Sequence, residues 1–476
     1  MWRKAKIIAT VGPASNSAEM IGRLIEAGVN VFRLNFSHGE HADHSEVIAT
    51  IRREADARST HVGILADLQG PKIRTGKTGE NKTITLSQGS KIRLVTDMRV
   101  VCTSDVISIS YDQLIEEVET GQNILINDGA VRLSVQKVDK KNGYVECVVE
   151  NTGSFSSHKG VNFPGTRLSV PALTEKDKND LAFIITQDID YIALSFVRRR
   201  QDLQHLRKQL GDRGDKFRLI AKIEKPEALD NIDEILDACD GIMVARGDLG
   251  VETSPYRIPI LQKKFIGQAG GRGKVVIVAT QMLESMIHSP RPTRAELTDV
   301  ANAILDGSDA LMLSGETAVG KYPLEAVQTM AKITEETEQS GFYRTEAIDL
   351  SLRERYPPHA VCEAAERAGR ELGGAPVILF SESGDTSYYM AKVRNQSRIF
   401  AFTPSRKVAN QLSLAWNTMP VYLPFNDDVV ALVNSAEEVL VKQGNLWPGD
   451  LVVVISGTNP ARGATNFLRI KRIGEK

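Results

Sequence analysis

The sequence predicts an α/β protein: a (β/α)8 TIM barrel with an inserted small β-barrel lid domain and a C-terminal open α/β sheet domain. Three observations predict it. Eight short apolar runs alternate with amphipathic segments. Three of the runs precede, and five follow, a stretch of alternating, β-branched character. A further unit of strand-like runs begins near residue 342. Eight parallel strands with intervening helices close into a barrel, and strands alternating with helical segments make an open sheet.

The first three runs are residues 6–10, 30–36 and 62–67. Between the first two, Met20, Ile21, Leu24 and Ile25 recur at helical spacing, and the pattern stops at Gly28. The rhythm breaks around Gly70 and Pro71. From 75 to 165 the runs 82–86, 91–95, 131–135 and 144–149 alternate polar and apolar residues. Asn127-Asp128-Gly129 and Lys141-Asn142-Gly143 separate strands as turns, because Asn, Asp and Gly accept positive φ. The βα rhythm resumes where Thr174 caps a helix with Asp177 three residues later. The runs 191–196, 217–222, 241–245, 274–280 and 310–314 complete the eight. After a helix over 324–339 come strand-like runs at 376–380, 398–402, 421–424 and 451–455. The expected domains are therefore 1–70 with 171–341 for the barrel, 71–170 for the lid and 342–476 for the last domain.

Bulk properties exclude several classes. At 476 residues the chain exceeds one compact core. Its 42% hydrophobic and 25% charged content is ordinary for a soluble globular protein. A net charge of −1 gives no polycationic face, so neither nucleic acid nor membrane is an expected partner. Cys102, Cys147, Cys239 and Cys362 form no CxxC pair and read as core residues of a reducing compartment. No run approaches the ~18 apolar residues of a membrane span, and the N-terminus lacks a signal-peptide pattern. A cytoplasmic protein is expected.

On such a barrel the chemistry gathers at the C-terminal strand tips. Those tips carry Thr10; Arg33, Asn35 and Ser37; Asp67; Ser195; Lys222 and Glu224; Asp248; Thr280; Ser314 and Glu316. Any one of them reads equally as a cap for the next helix; capping does not explain a Lys, an Arg and paired acids together. Glu224 and Asp248, on consecutive runs, offer hard oxygens suited to Mg2+ or Mn2+. Lys222, two residues before Glu224, faces the same side of an extended strand. It supplies a positive charge to a transferring phosphoryl group or forms a salt bridge to one of the acids. Thr280 relays a proton or is a satisfied strand-end hydroxyl. Gly247 and Asp248 open a helix whose backbone N–H groups suit a carboxylate. There is no Walker loop and no dinucleotide fingerprint. Met282 and Met286 read as core. In 381–387 the hydroxyls of Ser381, Ser383, Thr386 and Ser387, with N–H groups around Gly384, suit a phosphate. Asp385 is an unfavourable neighbour there.

Several segments together resemble the pyruvate kinase family, nearly from end to end. They are 31–39 (Val-Phe-Arg-Leu-Asn-Phe-Ser-His-Gly), 67–76, 158–164 (His-Lys-Gly-Val-Asn-Phe-Pro), 220–224, 243–250 (Met-Val-Ala-Arg-Gly-Asp-Leu-Gly), 279–286, 291–296 and 314–317. The resemblance implies a phosphotransferase acting on phosphoenolpyruvate and ADP to give pyruvate and ATP, the last step of glycolysis. It implies Mg2+ or Mn2+, a homotetramer, and an allosteric effector that is a phosphorylated metabolite. It implies that Lys222 stabilises the phosphoryl group in flight, Glu224 and Asp248 hold the divalent ion, and Arg33 binds the phosphate. Gly247 and Asp248 hold the substrate carboxylate, and Thr280 assists protonation of the enolate. Asn35, His38, Arg74 and Lys159 lie near ADP and the metals. The effector pocket is the Ser381–Ser387 loop with Arg462. Two rival readings share features of the chain: a metal-dependent lyase or aldolase of 2-keto acids, and a non-catalytic metabolite sensor.

One departure stands out. Where many members of the family have Glu, this chain has Lys72, and those members bind K+ at positions matching Asn35, Ser37, Asp67 and Leu68. A tethered ammonium at ~4 Å and an effective dielectric of ~20 is worth about 4 kcal/mol. The expectation is that Lys72 replaces K+, so that K+ is not required.

Overall fold

The computed structural model describes residues 2–166, 168–343, 357–394, 396–425, 428–457 and 465–475. Eight strands form a closed, all-parallel barrel: β1 (Lys6–Thr10), β2 (Val31–Asn35), β3 (Gly63–Asp67), β4 (Tyr191–Leu194), β5 (Arg218–Ile223), β6 (Gly241–Ala245), β7 (Val275–Ala279) and β8 (Ala310–Leu313). Their order around the ring is β1-β8-β7-β6-β5-β4-β3-β2. These runs are apolar on both faces because one face fills the barrel and the other meets the helices. Ile8, Leu65, Ala193, Ile220, Met243 and Ile277 belong to the inner core, and Ile7, Ile64, Ile192 and Ile242 to the shell under the helices. Each strand agrees with an expected run to within a residue or two at its ends.

Between β3 and β4 the chain leaves the barrel. Six strands pair in the order Val161–Asn162, Asn123–Ile126, Val131–Asp139, Tyr144–Val149, Lys91–Val95, Val106–Ser108. Gly153–Phe155 and Ile84–Leu86 form a separate two-stranded sheet. The insertion is thus two hydrogen-bonded sheets rather than one closed ring. Asn127, Asp128 and Gly129 all have positive φ (56°, 54° and 86°) and turn the chain tightly between two strands, as their residue types require. The chain re-enters the barrel through helix α1 (Glu175–Ile184), where Thr174 and Asp177 form a reciprocal capping box. Helix α2 (Arg246–Glu252) starts directly at the tip of β6.

The C-terminal unit is a five-stranded sheet of β9 (Val377–Phe380), β10 (Ile399–Thr403), β11 (Thr418–Tyr422), β12 (Leu451–Gly457) and β13 (Thr465–Arg472), ordered β11-β10-β9-β12-β13. The strand expected at 421–424 lies earlier, because Ile399 to Thr403 pair in register with Thr418 to Tyr422. Pro420 is tolerated there because β11 is an edge. The antiparallel edge β13 was not foreseen; its alternation is masked by charged residues on an exposed face. Helix α3 (Asp385–Lys392) follows β9. The unit docks on the barrel floor, where Lys392 and Arg394 pair with Asp309 at 2.5 and 3.2 Å, all three buried. The four cysteines are buried and unpaired, and Met282 and Met286 lie in the core. Among the described residues no helix is long and apolar enough to cross a membrane.

Candidate active site

At the C-terminal mouth of the barrel, Lys222 on β5 is ringed by oxygens. Its Nζ lies 2.9 Å from Glu224 Oε1 and 3.2 Å from Asp67 Oδ1, and it donates to Ser195 Oγ at 2.7 Å. Burial alone would lower its pKa. Asp67 and Glu224 outweigh burial and hold it above the ordinary lysine value, so the ammonium stays charged. Both readings of Lys222 therefore meet in one geometry: the salt bridges hold the charge in the cavity.

Arg33 on β2 donates from Nε to Asp67 Oδ2 at 2.7 Å and from Nη1 to Thr10 Oγ1 at 3.0 Å. Asp67 is fully buried; burial would raise its pKa, yet Lys222 and Arg33 hold it below the usual value. Glu224 is also buried, and its Oε2 accepts the Phe196 N–H at 2.8 Å. Its pKa is raised, first by burial and then by the like charge of Asp248, with Lys222 opposing. Asp248 is half-buried, and its carboxylate makes no hydrogen bond or ion pair with the described residues. Two carboxylates that repel each other across a cleft, one lacking a protein donor, fit a hard divalent cation. Among the described residues no group of three His, Cys, Asp or Glu is placed to hold a metal, so this set needs water and substrate oxygens to complete an octahedron.

Thr280 has φ 69° and the next residue, Gln281, φ 54°, conformations that cost a β-branched residue dearly. Thr280 Oγ1 accepts the Gly247 N–H at 2.8 Å and donates to the Ala279 carbonyl at 2.6 Å. Arg246 grips the Thr280 carbonyl at 2.9 Å and Asp299 at 2.7 Å. The Gly247 N–H and Thr280 hydroxyl, read separately from sequence, are thus partners.

Around the rim, Asn35 Oδ1 accepts the Ser37 N–H at 3.1 Å, and the Leu68 carbonyl accepts Ser195 Oγ at 2.7 Å. The His38 pKa is lowered, first by partial burial and then by Arg74, Lys72, Arg33 and Lys176 around it. Lys72 is exposed; its charge reaches His38, while Arg33 and Lys222 are the cations on Asp67. Arg74 donates to the His158 carbonyl at 2.9 Å, and Thr75 exchanges two hydrogen bonds with the Lys159 backbone, at 2.8 and 3.0 Å. This brings both cations to the base of the insertion. Ser314 and Glu316 are not part of the cluster: Glu316 accepts the backbone N–H groups of Ser314 and Leu283 at 2.7 and 3.1 Å, a capping role.

Compared with known proteins, the chain matches the family model of the pyruvate kinase barrel domain over residues 2–327 and that of the pyruvate kinase alpha/beta domain over 359–471. The chain belongs to the pyruvate kinase family. It is 45% identical to pyruvate kinase 2 of Synechocystis, covering 98% of this chain and 79% of the relative. It is 42% identical to the pyruvate kinase of Staphylococcus haemolyticus, covering 100% and 81%. A crystal structure of a pyruvate kinase from Cryptosporidium parvum superposes with a TM-score of 0.92 at 35% identity, covering 99% and 96%. A pyruvate kinase is a phosphotransferase, and the barrel, the inserted β domain and the last α/β domain are its parts.

In the last domain the Ser381–Ser387 loop is internally knit. Ser381 Oγ accepts the Gly384 N–H at 3.0 Å, Ser383 Oγ donates to Asp385 at 3.0 Å, and Thr386 meets Thr465 at 2.8 Å. Ser387 is buried. Asp385 is answered by Arg218 of the barrel at 2.7 Å. Arg462 lies outside the described residues. Sequence reading gave no role to Ser195, Phe196, Arg246 or Glu252. Ser195 was visible as a strand tip, but the other three act through contacts that spacing does not encode.

Proposed function

We propose that this chain transfers the phosphoryl group of phosphoenolpyruvate to ADP, giving pyruvate and ATP. The observation that carries this reading is the convergence of Lys222, Arg33, Glu224 and Asp67 within hydrogen-bonding distance at the barrel mouth. Lys222 meets the charge that develops on the phosphoryl group in flight, in a site where its ammonium is already oriented. Arg33 binds the phosphate. Glu224 and Asp248 would hold Mg2+ or Mn2+, which supplies positive charge to substrate oxygens when bound. The substrate carboxylate takes the N–H groups of Gly247 and Asp248. That displaces the Thr280 oxygen from Gly247 and turns its hydroxyl toward the enolate, which it protonates directly or through water.

Residues 71–170 act as a lid on the barrel of 1–70 and 171–341, excluding water as they close. ADP lies among Asn35, His38, Arg74 and Lys159, whose cations suit a polyphosphate. Lys72 adds its charge to the region of Asn35, Ser37, Asp67 and Leu68, and the enzyme works without K+. Residues 342–476 are regulatory. A phosphorylated metabolite binds at Ser381, Ser383, Gly384, Thr386 and Ser387, with Arg462. The active form is a cytoplasmic homotetramer.

The test is pyruvate release from phosphoenolpyruvate with and without ADP, at fixed Mg2+. The expected result is strictly ADP-dependent release that falls by at least about a thousandfold in Lys222→Met, the scale of one electrostatic catalytic group. Pyruvate formed without ADP, or a Lys222→Met enzyme of near-normal rate, overturns the reading. For the effector, sugar phosphates and AMP are titrated against wild type and Ser383→Glu; equal activation of both removes the pocket.

A further inference from the structure

We infer that Glu252 is a positioning residue that latches the inserted domain to the barrel rim and so sets how readily that domain closes over nucleotide. Glu252 ends helix α2, four residues after Asp248, and is 3% exposed. One of its oxygens, Oε1, carries two ties. It receives the Lys225 ammonium at 2.6 Å and the Asn162 side-chain amide at 2.7 Å. Lys225 is part of the barrel and directly follows Glu224. Asn162 belongs to the insertion.

The two ties are not equivalent. A buried carboxylate needs a counter-charge, and Lys225 supplies it from the same body whatever the insertion does. When Asn162 departs, Glu252 is still paired. Opening the Asn162 tie therefore costs one charge-assisted hydrogen bond and leaves the barrel intact, which is what a reversible latch requires. The pull is also well placed. Asn162 pairs with Leu125 in the six-stranded sheet, so moving it moves that sheet. The returning linker is held separately, by Arg198 on the carbonyls of Leu168 and Val170, both at 2.5 Å.

This inference rests on the lid reading above, and the experiment separates the two. All native cysteines are buried, so spin labels placed at exposed Lys141→Cys and Glu46→Cys report the lid-to-barrel distance in the ligand-free enzyme, without reference to any reaction. Asn162→Ala is expected to broaden that distance toward longer values. It is also expected to raise KM for ADP about tenfold, because losing one hydrogen bond to a charged acceptor lowers the closed fraction by that order. At saturating ADP the nucleotide draws the lid shut, so kcat and KM for phosphoenolpyruvate stay within about twofold. Glu252→Gln keeps an acceptor for Asn162 but weakens the bond, and in the double variant the two effects fall short of additive. An unchanged distance and ADP KM in Asn162→Ala overturns the latch, as do fully additive effects. A wild type that makes no pyruvate from phosphoenolpyruvate and ADP sinks the proposed reaction while the distance still decides the latch.

Discussion

Arg33 and Asp67, on neighbouring barrel strands, share a 2.7 Å ion pair whose carboxylate is wholly buried and also lies 3.2 Å from Lys222. Asp67 is the spacer that lets two cations stand side by side. Asp67→Ala leaves Arg33 without its carboxylate and Lys222 with Glu224 alone, and breaking a buried pair in this way costs about 3–5 kcal/mol. Activity is expected to be lost and the denaturant midpoint to fall. The pH dependence has a definite sign. Because the folded carboxyl is held below its ordinary value of 3.8, its contribution is present above that value. It is lost as pH falls through the lower, folded pKa. Wild-type stability should therefore drop more steeply below pH 4 than that of Asp67→Asn, read by unfolding at pH 3–5.

Lys72 is exposed at the rim, and its charge acts on the cluster around His38. Lys72→Glu replaces a fixed cation with an anion beside the proposed K+ region. The wild type is expected to run at full rate in tetramethylammonium buffer, and Lys72→Glu to need added K+ for at least about a tenfold recovery, the effect of roughly 1.4 kcal/mol. A wild type that stalls without K+ refutes the replacement.

Lys6 lies under the barrel floor, 6% exposed, and donates to the Thr418 carbonyl of the last domain at 2.7 Å. Burial, then repulsion by Arg3, lowers its pKa from 10.5 to about 7, with Glu338 opposing. The slope has the same sign as for Asp67, although here it is the charged form that the fold disfavours. Between pH 10.5 and about 7 the unfolded lysine takes up a proton that the folded one refuses, so stability falls as pH falls. Below about 7 both states are protonated and the slope vanishes. The wild type should lose roughly 3 kcal/mol relative to Lys6→Met between pH 9.5 and 7. Equal pH slopes for the two proteins would show that Lys6 is charged in its site.

What the chain disclosed by pattern is what period and tip chemistry encode. The eight barrel strands are apolar on both faces and run into polar residues, so β5 and β6 were visible, with Lys222 on β5, Glu224 just past its end and Asp248 just past the end of β6. Strands of two or three residues, such as Val161–Asn162, are too short to show a period. Edge strand β13 hid its alternation behind charges. Pairings across long separations were equally hidden: Asn162 with Glu252 and Arg218 with Asp385 join positions 90 and 167 apart, and neither residue type is unusual where it stands.

The Arg218 to Asp385 tie spans the barrel floor and the proposed effector loop. Arg218 opens β5, the strand that ends in Lys222 and Ile223. Its guanidinium donates to the Ser383 carbonyl at 2.9 Å and to Asp385 at 2.7 Å, and it stacks 5.1 Å from the Tyr388 ring centre. Arg218→Met removes the guanidinium that meets both Asp385 and, at 3.4 Å, Asp240, which costs about 1–3 kcal/mol. Asp385→Asn in the same chain should restore part of that loss in a thermal melt, because the carboxylate that Arg218 answered is gone. Basal activity should hold, since Arg218 lies at the floor of the barrel and the reacting groups at its mouth. Response to phosphorylated effectors should weaken in Arg218→Met, because the loop loses its ion pair to β5 of the barrel. Should the double variant melt no higher than Arg218→Met, the contact is packing rather than charge, and the loop is held by the Tyr388 stack instead.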